Sequence, residues 1–159
     1  MDLRDAAQPA DAVIAALGLL AHPEGGHFRE TWRDMPEGGG RGVGTAILFL
    51  LRAGEVSAWH RVDAAELWLW QAGAALALRI AAENGGAELL RLGPDVSGGE
   101  VLQGLVPPWR WQSAESCGVW TLVSCVVAPA FSFAGFEMAP SIAAAASSIS
   151  SMSSSPASG

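Results

Sequence analysis

The sequence predicts an all-β domain, a sandwich or barrel of short strands preceded by one short helix. Three observations carry this reading. Apolar and polar residues alternate over many short segments. Turn signals such as Gly93-Pro94-Asp95, Gly98-Gly99 and Pro107-Pro108 separate most of those segments. The chain has 159 residues, half of them apolar, which is enough for one core.

The elements follow in order. Val13, Ile14, Leu17 and Leu20 recur at helical spacing after Pro9, with Asp11 as the candidate cap, so Asp11 to Leu20 reads as an amphipathic helix. Gly25-Gly26 closes the next turn. His27 to Arg33 alternates and reads as a strand, and Met35 to Gly44 reads as a mobile Gly-rich loop. Thr45 to Leu51 is a continuous apolar run, the pattern of a strand buried on both faces. Further strands are expected at Ser57 to Val62, Glu66 to Gln71, Leu76 to Ala81, Ala87 to Leu92, Gln103 to Val106, Trp111 to Ala114, Val119 to Val127 and Ser132 to Glu137. Residues 1–140 make one domain. Residues 141–159, almost only Ser and Ala, cannot bury enough apolar surface to offset their ordering entropy and are expected to form a disordered tail.

Composition removes several functions. The net charge is −7, with nine arginines and no lysine, so nucleic acid and anionic membrane surfaces are poor partners. Without lysine there is no side-chain Schiff base and no P-loop lysine. Without tyrosine there is no phenolic general acid. Cys117 and Cys125 lack metal or redox spacing and read as ordinary thiols of an intracellular protein. Met1 to Ala10 is acidic and lacks the apolar core of a signal peptide, so a soluble, cytoplasmic protein is expected.

The most informative stretch runs from Gly54 to Gly73. Read as two antiparallel strands joined around Asp63-Ala64-Ala65, it places His60, Val62, Glu66, Trp68 and Trp70 on one face. Val62 then sits opposite Glu66, and His60 is a diagonal neighbour of Glu66.

Those residues carry a resemblance to the cupin superfamily, whose first motif is G-x5-H-x-H-x(3,4)-E-x6-G. Gly54, His60, Glu66 and Gly73 hold their places, and Val62 stands where the second histidine is expected. The second motif, P-x-G-x2-H-x3-N, resembles Pro107 to Ser116. There Trp109 replaces the glycine, Gln112 the histidine and Ser116 the asparagine. Four stretches tighten the likeness to the Cupin 5 family, whose members are largely of unknown function: His22 to Arg33, Ser57 to Trp68, Val106 to Ala114 and Val127 to Ala139. The resemblance implies a jelly-roll β-barrel and a homodimer.

Three functional readings follow. The preferred one is small-molecule binding in the barrel mouth, with His60, Glu66, Trp68, Trp70, Gln112, Arg29 and Glu24 as ligand-binding candidates. The alternative is a metal-independent isomerase or epimerase acting on a sugar-like or keto substrate, with His60 as base and Glu66 supporting it. Less favoured is a metal-dependent cupin enzyme, because a cupin metal site usually has three imidazoles and one carboxylate. Only His60, Glu66 and the weak ligand Gln112 hold the matching positions, so no cofactor is expected. Trp68, Trp70, Trp111 and Trp120 also suit a core. Phe131, Phe133 and Phe136 are most simply core or dimer contacts. Glu24-Gly25-Gly26 is a tight turn or a pocket lid.

Overall fold

The alternating segments pair into two antiparallel sheets that stack as a jelly roll. In this computed structural model, residues 1–82 and 85–140 are described. The expected tail lies outside them. In chain order the elements are α1 (Ala10–Leu17), β1 (Leu20–Ala21), β2 (His27–Arg33), β3 (Thr45–Arg52), β4 (Val56–Val62), β5 (Ala65–Gly73) and β6 (Leu76–Ala81). They continue with β7 (Ala87–Leu92), β8 (Gln103–Val106), β9 (Gln112–Ser116), β10 (Trp120–Ala128), a 3-10 turn at Phe133–Gly135 and β11 (Phe136–Met138). The first sheet has the order β1-β2-β3-β10-β5-β8 and the second β11-β4-β9-β6-β7.

The apolar run in β3 is explained by what covers it. Phe49 and Leu51 point into the main core between the sheets, with Trp68, Leu76, Leu78 and Val123. Leu48 and Leu50 point the other way and pack with Val13, Leu17, Leu122 and Trp120, where α1 lies on the outer face. Burying each such leucine contributes about 2 kcal/mol. The helix starts after Pro9 rather than at Asp11, whose carboxylate instead accepts a 2.8 Å bond from Arg52. Gly18, at φ 63°, ends it by returning its N–H to Ile14 and Ala15.

The expected hairpin at Gly54 to Gly73 is not one. β4 pairs with β9 and β11, whereas β5 pairs with β10 and β8, so the chain crosses between sheets at Asp63-Ala64. Val62 lies opposite Phe136, and Glu66 lies opposite Val106 and Val127. The parity of the side chains survives the error, because alternation fixes which face is buried without fixing the partner strand. His60 and Glu66 therefore face each other across the interior from opposite sheets. The expected strand at Ser132 to Glu137 is also shorter: Ser132 caps the 3-10 turn through Ala134 N–H, and only Phe136–Met138 pairs. The Gly-rich loop is anchored at Arg41, which bonds the Asp63 carboxylate twice and the Ala130 carbonyl.

Candidate functional site

A tight turn from His22 to Gly26 delivers the first acidic group. His22 N–H donates to Gly26 O and Gly25 N–H to His22 O. Ala58 N–H then ties the Glu24 carbonyl to β4 at 2.8 Å. Gly25 has φ 103°, and a Cβ there would strike the Val56 carbonyl. Gly26, at φ 77°, lies nearly as close to β3, where a Cβ would come 2.8 Å from the Leu50 carbonyl oxygen. Only glycine allows the turn to wedge between these two strands. The Glu24 side chain is thereby driven inward, where Ser57 Oγ donates to Oε1 at 2.9 Å and His60 Nε2 lies 3.3 Å from Oε2.

Ser57 and His60 are three residues apart, an odd spacing that would send them to opposite faces of a regular strand. A bulge in β4 resolves this: Ser57 pairs with Ala114 and His60 with Gln112, so β4 holds one extra residue. Both side chains then reach the same carboxyl group. His60 Nδ1 lies 2.7 Å from the Ala58 carbonyl, which can only accept. Nδ1 therefore carries the proton and Nε2 presents a lone pair to Glu24. By the same logic Glu24 N–H donates to His22 Nδ1 at 3.1 Å, placing the His22 proton on Nε2.

The second acidic group comes from β5. Gln112 Nε2 donates to Glu66 Oε2 at 2.6 Å, and Trp68 Nε1 donates to Gln112 Oε1 at 2.8 Å. All three residues are buried. The indole N–H can only donate, so it fixes which way the amide points. The Cys125 thiol on β10 also bonds Glu66.

Burial dominates the electrostatics. It pushes Glu24 up to about 8, with the Ser57 bond opposing. It pushes Glu66 up to about 7, with Glu24 adding to the rise and His60, Gln112 and Cys125 resisting it. Burial also pulls His22 down to about 4, aided by His60, and lowers His60 against the pull of Glu66 and Ala58. Near neutral pH Glu24 is thus a carboxylic acid beside a neutral imidazole, and their 3.3 Å approach is a contact between neutral groups rather than an ion pair.

These groups form the floor of a cavity of about 320 Å³. Phe28, Phe49, Phe131, Phe133 and Phe136, with Ile47, Val62 and Val127, line its walls. Glu30, Arg33 and Thr45 complete the lining. Of the residues singled out from sequence, His60, Glu66 and Glu24 come together here. Gln112 stands behind Glu66 rather than in the lining. Trp68 is core, and Trp70 packs against that core with Nε1 on the Ala74 carbonyl. Arg29 is exposed and outside the lining, because Phe28 and Glu30 take the inward positions of β2. A bulge between Glu30 and Trp32 then turns Arg33 inward as well. His22, Ser57, Cys125 and the three late phenylalanines belong to the site but escaped the sequence reading. Phe131, Phe133 and Phe136, expected as core or dimer contacts, line the cavity instead. A second, open groove of about 770 Å³ shares Arg33, Phe131 and Phe133 with the cavity and reaches Trp109 and the Gly-rich loop. Trp109, where the motif has glycine, adopts φ 64°. Its N–H donates to Val62 O at 2.7 Å, and the Arg61 guanidinium lies over its ring at 5.4 Å.

A jelly roll with an imidazole and carboxyl groups converging at one end of the sandwich has the architecture of a cupin. The family model described as Cupin superfamily (DUF985) matches residues 11–139, and the chain belongs to that family, Cupin_5. Among solved structures, a protein from Shewanella oneidensis is 37% identical with a TM-score of 0.77, covering 82% of this chain and 84% of its own. A hypothetical protein from Leishmania major is 29% identical with a TM-score of 0.74, covering 82% and 86%. Oxalate decarboxylase from Bacillus subtilis shares the fold at 15% identity and a TM-score of 0.57, covering 74% of this chain and 29% of its own. No curated protein matches the sequence.

The metal set that the cupin superfamily implies does not fit these residues. Val62 has no donor atom, and Gln112 has its oxygen occupied by Trp68 and its NH2 turned toward Glu66. At the Gln112 position a metal ion would meet an N–H group where it needs a lone pair. Among the described residues no group of three or more His, Cys, Asp or Glu side chains is disposed to hold a metal ion. Among them, too, no helix is long and apolar enough to cross a membrane.

Proposed function

We propose that this cupin binds a small polar or aromatic metabolite in the cavity at the mouth of the jelly roll. The observation that carries this is the cavity itself, about 320 Å³ of space with phenyl walls over a floor of His22, Glu24, His60 and Glu66. Small-molecule sites have this character: mostly apolar walls, a few convergent polar groups and a volume of some hundreds of Å³. Native mass spectrometry of gently purified protein tests the reading. A co-purifying small molecule is expected, and His60→Ala should release it. A crystal structure with the cavity filled by side chains would end this reading. The same spectrum reports the subunit count, where the family resemblance supports a homodimer.

One observation favours a second reading, metal-independent isomerisation. His60 Nε2 and the Glu24 carboxyl lie 3.3 Å apart inside the cavity, and burial pushes Glu24 up to about 8. Such a pair sets a base, His60 Nε2, beside an acid, the Glu24 carboxyl, which is the pairing that proton transfer at a carbon beside a carbonyl needs. Deuterium incorporation into keto-sugars from D2O is the expected sign. No exchange across a broad panel would leave binding alone.

A further inference from the structure

The cavity lining holds more acidic groups than basic ones. Glu24, Glu30 and Glu66 line it, and Arg33 is the lining's one permanent cation among the described residues. Arg33 is already bonded to Glu30 through Nε and Nη2, at 2.9 and 2.8 Å, and to the Phe131 carbonyl. That leaves Glu24 and Glu66, both at least nine-tenths buried, beside imidazoles that burial keeps neutral and with no guanidinium bonded to them. An anionic ligand would meet two carboxyl groups and no free guanidinium. The walls point the same way, because phenyl faces carry negative quadrupole charge and attract cations in desolvated sites. Phe28 and Phe49 flank the His22 ring, at 4.6 and 5.9 Å between centroids, and Phe136 lies 5.6 Å from His60. The rings therefore surround the same floor that the carboxyl groups occupy.

We propose that the ligand is an organic cation, a small primary amine or quaternary ammonium on an apolar body. Its charge sits between Glu24 and Glu66 and its carbon skeleton among the phenylalanines. The inference rests on the cavity-binding reading and adds the ligand's charge to it. The volume suits a body on the order of ten non-hydrogen atoms. Binding is coupled to protons. The acid must ionise to pair with an ammonium, so affinity rises with pH while the amine itself stays protonated. The titratable groups facing Glu24 are His22 from its own turn, His60 from β4, Glu66 from β5 and Cys125 from β10. Of these, Glu66 ionises in the same window and acts in the same direction.

Calorimetric titration of the full chain with three near-isosteric probes, benzylamine, benzyl alcohol and benzoate, between pH 6 and 8 tests this. Benzylamine should bind at least about tenfold tighter than either other probe at pH 8. Its affinity should rise by up to about tenfold per pH unit, the limit for release of one proton. Glu24→Gln and Glu66→Gln, each checked for an intact fold by its thermal transition, should each reduce benzylamine affinity at least about tenfold and flatten that pH dependence. Equal or tighter binding of benzyl alcohol or benzoate would overturn the cationic ligand while leaving the cavity reading intact. So would benzylamine binding that neither variant changes. If none of the three binds at about 10 mM, the cavity reading itself fails and takes this inference with it.

Discussion

The same side-chain chemistry behaves in opposite ways in two regions of this molecule. At the surface, Asp63 is held below the usual carboxylate range by its paired bonds from Arg41, and Glu55 is also held low because Arg52 outweighs the effect of burial. In the cavity, Glu24 and Glu66 have no guanidinium and rise to about 8 and 7. The surface carboxylates act as fixed charges that tie down loops. The cavity carboxyls are acids at the pH where a cell works, held by neutral donors: Ser57 Oγ, Gln112 Nε2 and a thiol. Pairing decides whether an acid is structural or chemically available.

The largest test of this contrast is Gln112→Ala. It orphans Trp68 Nε1 and Glu66 Oε2 together, and at roughly 1–3 kcal/mol per buried unsatisfied group the loss should be about 4 kcal/mol in denaturant unfolding. A loss below about 1 kcal/mol would show that water replaces the amide. Next comes Gly25→Ala, which forces a Cβ into the Val56 carbonyl at a φ that L-residues avoid. About 3 kcal/mol is expected, against about 1 kcal/mol for Gly38→Ala, where the positive φ is shared but space is open. Equal effects would mean that the Glu24 turn is not wedged as described.

A third test is the pH dependence of stability. A carboxyl group whose folded pKa is raised binds more protons in the native state than in the unfolded state. Stability is therefore lost as pH climbs from the ordinary value toward the raised one. His22 and His60, shifted the other way, gain stability up to about 6.5 and are silent above it. Between pH 7 and 8 Glu24 dominates, and stability should fall by about 1 kcal/mol over that unit and level off beyond. Glu24→Gln should flatten the slope; a slope that persists assigns it elsewhere. Smaller still is Asp63→Asn at the surface, expected to cost no more than about 1 kcal/mol and to lose that effect in high salt. Smallest is Trp109→Gly. Relief of a left-handed backbone, worth about 1 kcal/mol, should nearly cancel the lost contact with Arg61, leaving the thermal midpoint within a few degrees.

The sequence made the strands legible because each is short, alternating and punctuated. Leu76–Ala81, Ala87–Leu92 and Gln103–Val106 fall where the pattern places them. It also showed that His60 and Glu66 share the interior, since parity needs no knowledge of partners. What it hid were partners and irregularities. Nothing in Asp63-Ala64-Ala65 distinguishes a hairpin turn from a crossover between sheets. The bulges that bring Ser57 beside His60 and turn Arg33 inward are set by neighbouring strands, not by local composition. Trp68 and Trp70 looked like cavity walls because they share the face of Glu66. Distance along β5 carries them into the filled end of the sandwich, and the late phenylalanines line the open end instead.

The Trp68–Gln112–Glu66 chain has one more consequence. An amide and an indole neither take up nor release hydrogen ions near neutrality, so the chain transmits orientation and nothing else. The Cys125 thiol, pushed well above its ordinary range, is equally closed as an exit. Of the routes these neighbours define, the cavity is the one that leads the Glu66 proton to bulk water. A molecule seated in the cavity's mouth would slow this exchange, leaving the rate at which the acid changes its ionisation under the occupant's control.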